Sequence, residues 1–338
     1  MTNNFPLFRL PYLALNEVLN HFRPAATLLL SLCSEKSKRL VKDCQGARKE
    51  IEIIFRLAQN TVDVNYTSVI LVNAVSSLPT DLKTVKIGSH MVPVKMEEGI
   101  LKTYWLKEKK GLEEVIKHTS DVFNRKLCSL ALHGEVTSED GIYWLKRIKS
   151  IQGKLSRVLL NTNSRVDKLV LYILENDSIT GNICVYSDCS PRFRGPSPRP
   201  FFIDCLVLQP SQWVTLNHLL AMDVKQISLD DSSLNCQDLN IFLKTWINGE
   251  CSRRIKRLYV KMQDVVDGGV LMEGIEVTRR EPYLRRNYVS NMCVENIFGG
   301  FDIRRKEDGA MATIVYEPQR RSGLTVLFWP DCKGNLYH

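Results

Sequence analysis

Residues 211–262 read SQWVTLNHLLAMDVKQISLDDSSLNCQDLNIFLKTWINGECSRRIKRLYVKM. Leu216, Leu219 and Leu220 fall at helical spacing behind a capping residue, Ser211 or Thr215. Ile227-Ser228-Leu229 then has the two-residue period of a strand. Leu239, Phe242, Leu243, Trp246 and Ile247 return to the i, i+3, i+4, i+7, i+8 spacing of a helix. Asn235 or Asp238 stands near its start and Gly249 at its end. Leu258-Tyr259-Val260 closes the stretch with a second strand triplet. Helix and strand in alternation call for crossover connections, which are right-handed and build a parallel sheet.

The same triplet recurs upstream as Leu130-Ala131-Leu132, Leu169-Val170-Leu171 and Leu206-Val207-Leu208, with Val85-Lys86-Ile87 as an earlier member. Helical patterns lie between them at 138–149, 213–222 and 236–248. Successive triplets from Leu130 onward are 39, 37, 21 and 31 residues apart, too uneven for a strict leucine-rich repeat. The expectation is a leucine-rich-repeat-like curved parallel sheet with helices on its outer side. After Gly268 the pattern changes. Phe301 and Ile303, a turn at Asp308-Gly309, and Ala312, Ile314 and Tyr316 read as a hairpin, with Leu324, Val326 and Phe328 as a third strand. The predicted architecture is mixed, α+β with α/β. It runs as a short helical motif over 1–45, an α/β body over 46–268 and a small antiparallel β unit over 269–338.

The first forty residues contain more leucine than three short helices can bury. Pro11 suits a first helical turn, and Tyr12, Leu15, Leu19 and Phe22 follow at helical spacing with Val18 beside them. Pro24 restarts the chain and forces Arg23 out of helix. Residues 25–33 are apolar on nearly every side through Leu28, Leu29, Leu30 and Leu32, so this helix needs cover all round. Ser34 caps a third helix whose inner face is Leu40 and Val41. Either later residues of the chain or another polypeptide must cover the surplus.

At this point two resemblances emerge. Leu10-Pro11, Val18-Leu19, Phe22, Pro24, Leu28–Leu32, Cys33-Ser34 and Lys38-Arg39 resemble an F-box, over about residues 5–42. Trp213, Leu216, His218-Leu219-Leu220, Asp238-Leu239-Asn240, Phe242-Leu243-Lys244 and Trp246 are similar to the type 2 F-box-associated domain, spanning about 205–265. Gly299-Gly300 and Asp302-Ile303 extend that likeness. The resemblance implies a substrate-recognition subunit of an SCF-type cullin ubiquitin-protein ligase. Leu10, Pro11, Leu15, Val18, Leu19, Phe22, Pro24, Leu28 and Leu32 would then contact a Skp-family adaptor, itself bound to a cullin scaffold. The α/β body would hold an unidentified target protein. Such a subunit works by proximity, so it implies no catalytic residue and no cofactor.

The residues themselves point the same way on chemistry. The sequence has no phosphate-binding G-x-x-x-x-G-K-[ST], no dinucleotide G-x-G-x-x-G, no G-x-S-x-G and no H-E-x-x-H. The six histidines show no metal spacing, so no metal site is expected. Asp230-Asp231 reads as a helix-capping or loop pair, Trp213 and Trp246 as helix-face packing, and Cys128 and Cys205 as small buried hydrophobes. Ten cysteines form no CxxC pair. The amino terminus lacks a basic, apolar signal, and no run approaches the ~20 apolar residues of a membrane span. A reducing compartment, cytoplasm or nucleus, is the expectation.

Two features stay outside this scheme. Net charge is +9, with a pI near 9.0, which keeps a basic nucleic-acid-binding module as the alternative function. The arginine pairs at 253–254, 279–280, 285–286, 304–305 and 320–321 are interleaved with acids, however: residues 250–338 carry 15 Lys+Arg against 12 Asp+Glu. The stretch SDCSPRFRGPSPRP, 187–200, cannot form helix or central strand. It is expected to be a long, mobile loop, with two Ser-Pro pairs open to phosphorylation.

Overall fold

The computed structural model describes residues 7–45, 51–289, 294–316 and 323–329. Arg320-Arg321, Cys332 and His338 lie outside them, as does the start of the F-box-like stretch at Phe5. The chain divides into two compact units, 1–136 with 150–155, and 137–149 with 156–338. This division falls inside the body expected at 46–268 and unites that body's second half with residues 269–338.

The first unit opens with α1 (Tyr12–Asn20), α2 (Pro24–Ser31) and α3 (Glu35–Gln45). Six strands follow: β1 (Ile53–Arg56), β2 (Thr61–Val64), β3 (Thr67–Ala74), β4 (Lys83–Ile87), β5 (His90–Glu97) and β6 (Ile100–Trp105). Helix α4 (Glu108–Phe123) and strand β7 (Leu127–His133) complete it. The strand order is β7-β1-β2-β3-β6-β5-β4. Only β1–β7 and β3–β6 are parallel; β1–β2, β2–β3, β4–β5 and β5–β6 are antiparallel. The expected parallel sheet is therefore corrected here. Val85-Lys86-Ile87 is a strand, as read, but an antiparallel one. Two-residue turns cause the difference: Asn65-Tyr66 and Glu98-Gly99 both hold positive φ, the geometry that folds a strand straight back on itself. Helix α4 covers the sheet with Leu112, Val115, Ile116, Thr119, Val122 and Phe123. Its Gly111 is required, because a Cβ there would lie 2.5 Å from the Trp105 indole.

In the second unit come α5 (Ser138–Gln152), β8 (Leu155–Thr162), α6 (Asp167–Leu174), β9 (Ile179–Ser187), β10 (Cys205–Gln209) and α7 (Leu216–Ala221). They are followed by β11 (Gln226–Ser232), α8 (Cys236–Ile247), β12 (Arg257–Met262) and α9 (Gly268–Leu271). The remaining strands are β13 (Thr278–Arg279), β14 (Arg285–Val289), β15 (Val294–Phe298), β16 (Phe301–Arg304), β17 (Met311–Tyr316) and β18 (Gly323–Phe328). Their order is β13-β16-β17-β18-β12-β11-β10-β9-β8, with β14–β15 as a separate antiparallel pair.

Strands β9 to β12 are parallel, as the triplets predict. Register explains why the triplets recur. Ile183, Leu206, Ile227 and Leu258 are direct neighbours across four strands, and Val185, Leu208, Leu229 and Val260 form a second row. All eight are buried, so each triplet contributes one residue to each of two apolar ladders. The expected hairpin of β16, β17 and β18 is present. Strand β18 also pairs antiparallel with β12, placing Val326 beside Leu258 and Leu324 beside Val260. Strands β16 to β18 thus continue the ladders rather than forming a unit of their own.

Two further expectations are corrected. Leu169-Val170-Leu171 is not a strand; it lies within α6. The buried positions there are Leu169, Val170, Ile173 and Leu174, a helical spacing that a three-residue window cannot reveal. The helix expected over 213–222 is shorter, because Trp213 and Val214 precede it in a turn and Thr215 caps it.

Candidate functional site

Helix α1 starts after Pro11, whose φ of −54° leads into it without a side-chain cap. Its inward stripe is Leu15 and Leu19, both essentially inaccessible. Pro24 occupies the first turn of α2 after an extended Arg23. Ala25, Thr27, Leu28 and Ser31 face inward, against α3, α4, β3 and β6. Ser34 caps α3 as expected: its Oγ accepts from Ser37 N–H at 3.1 Å. Val41 and Cys44 are buried beneath α3, while Leu40 is half-buried.

Polar contacts then fasten these helices to α4. Lys38 and Lys42, one turn apart, each place Nζ 2.6 Å from a different oxygen of Asp121. Burial tends to raise the Asp121 pKa, but the two lysines outweigh it and hold the carboxyl below its ordinary range. Ser31 Oγ donates to Leu28 O at 2.6 Å and lies 3.1 Å from His118 Nε2. With that hydroxyl proton committed, the ring N–H is assigned as the donor. Burial, reinforced by the Lys38 charge, pushes His118 down to about 4, so the ring is neutral at pH 7.

The nine residues expected to touch an adaptor divide into three groups. Leu15 and Leu19, on α1 against α3, and Leu28, on α2 against α3, α4, β3 and β6, are wholly buried within the chain, which corrects their assignment as surface contacts. Leu10, Phe22, Pro24 and Leu32 are half-buried, and Pro11 and Val18 are exposed. Two residues outside that set are also exposed. Tyr12 is 56% exposed and Leu13 is 79% exposed. At about 100° per residue, Leu13 lies well off the Leu15/Leu19 stripe. An apolar residue off the inward stripe was the available signal. Leu10, Pro11, Tyr12 and Leu13 thus give the entry to α1 a run of accessible apolar surface, with Val18 on the other flank of the buried stripe.

A second candidate surface lies in the other unit, at the carboxyl ends of β9, β10 and β11, where open α/β sheets place their ligands. A cleft of about 320 Å³ is lined there by Arg165, Ser190, Phe193, Trp213 and Asp231 among others. The 187–200 loop walls it and is held at several points. Phe193 packs edge-on against Trp213 at 5.5 Å, and Trp213 against His218 at 5.5 Å. His218 Nδ1 accepts from Thr215 N–H at 3.1 Å, which leaves its Nε2–H to donate to Pro196 O at 2.9 Å. Gly195, at φ +70°, passes so close to Trp213 that a Cβ would lie 2.2 Å from the ring. The expectation of a loose loop is corrected accordingly.

Neither surface gathers reactive groups. Burial, with nearby Asp167 and Asp188, pushes the Cys189 thiol in the cleft up to about 12, which keeps it protonated and unreactive. Cys205 and Cys251 are pushed up to about 11, mainly by burial. Among the described residues no group of three His, Cys, Asp or Glu could hold a metal ion. No helix among them is long and apolar enough to cross a membrane. The described arginines of the dibasic pairs are largely engaged with acids: Arg253 with Glu307, Arg254 with Asp223, Arg280 and Arg286 with Asp302, and Arg305 with Asp308.

Comparison with known proteins bears on both surfaces. The F-box domain family matches residues 7–49 and the F-box associated family, FBA_2, matches residues 200–260. Uncharacterized protein F59B2.9 of Caenorhabditis elegans is 23% identical, over 96% of this chain and 79% of its own. Skn-1 dependent zygotic transcript 15 protein of the same organism is 23% identical, over 77% of this chain and 81% of its own. E3 ubiquitin-protein ligase hecw-1, also of C. elegans, is 24% identical over 75% of this chain but only 22% of its own. No solved structure matches. The chain carries an F-box domain on helices α1 to α3 and an F-box-associated domain spanning β10 to β12.

Proposed function

We propose that this chain is a non-enzymatic substrate-recognition subunit of an SCF-type ubiquitin ligase. In this reading the entry to α1 docks a Skp-family adaptor, and through it a cullin scaffold. The second unit, with a leucine-rich-repeat-like curvature along β9 to β12, holds the target protein at the carboxyl ends of those strands. Catalysis then resides in a ubiquitin-charged enzyme elsewhere in the assembly, and this chain supplies proximity. A reducing compartment, cytoplasm or nucleus, fits the reading.

One observation carries it: an F-box helix that buries Leu15 and Leu19 internally still leaves Tyr12 and Leu13 in solvent. An aromatic and a leucine side by side on an open helix end suit the centre of a protein interface. The test is co-purification with a Skp-family adaptor. Tyr12→Ala with Leu13→Asp is expected to abolish it while leaving the thermal unfolding transition in place. Undiminished co-purification of that variant would remove the docking assignment. Leu19→Asp is unsuitable here, because it places a charge in the core and unfolds the helix bundle.

A further inference from the structure

The loop between β9 and β10 carries two Ser-Pro pairs, and the fold treats them differently. Ser190 is half-buried. Its Oγ donates to Asp167 Oδ2 at 2.5 Å and its N–H to Asp167 Oδ1 at 2.9 Å. Its carbonyl accepts from Phe193 N–H at 2.9 Å. To serve as a phosphate acceptor, Ser190 would have to give up a carboxylate partner and then carry a dianion beside that same carboxylate.

Ser197 is exposed, and its Oγ has no hydrogen-bond partner among the described residues. Both its flanks are anchored. On one side Pro196 is buried, with its carbonyl on His218 Nε2. On the other, the Arg199 guanidinium donates to Leu174 O at 2.9 Å and Asp177 Oδ1 at 3.1 Å, and lies over the Phe201 ring. Prolines 196, 198 and 200 fix their own φ and restrict Ser197 and Arg199 to extended backbone. The result is a short bent segment, held at both ends, presenting a free hydroxyl immediately before a proline. Arg192, Arg194 and Arg199 outnumber Asp188 in the loop, so an added phosphate meets net positive charge.

We propose that Ser197 is a phosphorylation site for a proline-directed Ser/Thr kinase, and that Asp167 withholds Ser190 from the same enzyme. The γ-phosphoryl group of Mg-ATP passes to Ser197 Oγ. The bond to the bridging oxygen breaks and ADP leaves, and the hydroxyl proton goes to the kinase's catalytic aspartate. The proposal stands independently of the ligase reading.

The test incubates the folded full-length chain with a purified proline-directed kinase and Mg-ATP, and follows each serine by peptide mass spectrometry. The heat-denatured chain is the reference. Ser197 is expected to label faster than Ser190 by about tenfold or more in the folded chain, the scale of a hydrogen bond to a charged group. Denaturation should erase most of that preference. Ser197→Ala should remove the dominant label, and Asp167→Asn should bring Ser190 up toward the Ser197 rate. Equal labelling of the two serines in the folded chain would overturn the proposal. So would label that appears only after denaturation, or no label in either state.

Discussion

The amino-terminal helices and strands β9 to β12 are both rich in closely spaced aliphatic residues, but they dispose of them differently. In the strands, Leu206, Leu208, Ile227, Leu229, Leu258 and Val260 all lie in two ladders closed by neighbouring strands, and none faces water. In the helices, Leu15, Leu19 and Leu28 are closed in the same way, while Leu13 and Tyr12 are left out. A strand has only two faces, so an alternating pattern assigns every side chain. A helix has a continuous perimeter, and apolar residues beyond the inward stripe have nowhere internal to go. In the function proposed above, that surplus is where another protein completes the packing.

The sharpest way to break this contrast lies at the far end of the ladders. Asp302 is buried and accepts from Arg286 Nη1 at 3.0 Å, from Arg280 Nε at 2.5 Å and from Thr313 Oγ1 at 2.6 Å. Trp329 Nε1 donates in turn to Thr313 Oγ1 at 2.8 Å, and the Arg286 guanidinium lies over the Trp329 ring. Asp302→Ala leaves Arg286 charged and enclosed. The expected loss is about 3–5 kcal/mol in urea unfolding. A loss below about 1 kcal/mol would mean that strands β16 to β18 are not locked onto the ladders as described.

Next in size are single truncations on each side. Leu229→Ala and Leu19→Ala should each cost about 2–5 kcal/mol, because both side chains are fully enclosed. Similar losses would show that the buried part of the helices is as much core as the sheet is. A near-neutral Leu19→Ala would place that residue on the surface after all.

How far these two regions could be read beforehand follows from the same geometry. The triplets at 206, 227 and 258 were legible because register stacks them into ladders. The triplet at 169 was not, since Leu-Val-Leu satisfies a helix equally well and the deciding residues, Ile173 and Leu174, lie beyond it. The antiparallel strands of the first unit were hidden by their turns. In Asn65-Tyr66 a tyrosine stands at positive φ where the usual Asn-Gly signature has glycine. On the docking surface, helical spacing selected Leu15 and Leu19, which is a core signal. The exposed Leu13 breaks that spacing and passed unnoticed.

The helices also differ from the ladders in their response to pH. His118 has an ordinary pKa of 6.5 and a folded one of about 4. Between those values the unfolded chain binds the proton and the folded chain does not. The stabilisation is therefore whole above pH 6.5 and drains as pH falls toward 4, by up to about 3 kcal/mol. Asp121, held low by Lys38 and Lys42, loses its contribution in the same direction at still lower pH. Urea midpoints measured from pH 7 to 4 should fall more steeply for the native chain than for His118→Gln, which keeps a donor toward Ser31. Parallel curves would show that the His118 contact does not couple the helices to α4.

The smallest stability effect is the most informative about function. Leu13→Ala removes a side chain that is mostly in water already, so its unfolding free energy should stay within about 0.5 kcal/mol of the native value. If Leu13 is completed by a partner, the same truncation should weaken adaptor binding by about tenfold or more, the range of an interface anchor. Leu19→Ala should do the reverse: a large stability loss, with adaptor binding retained below the unfolding transition. This crossed outcome separates a residue that packs within the chain from one that packs against a partner. Were both variants to lose stability and binding together, Leu13 would belong to the chain's own core, and the helices would have no surplus to offer.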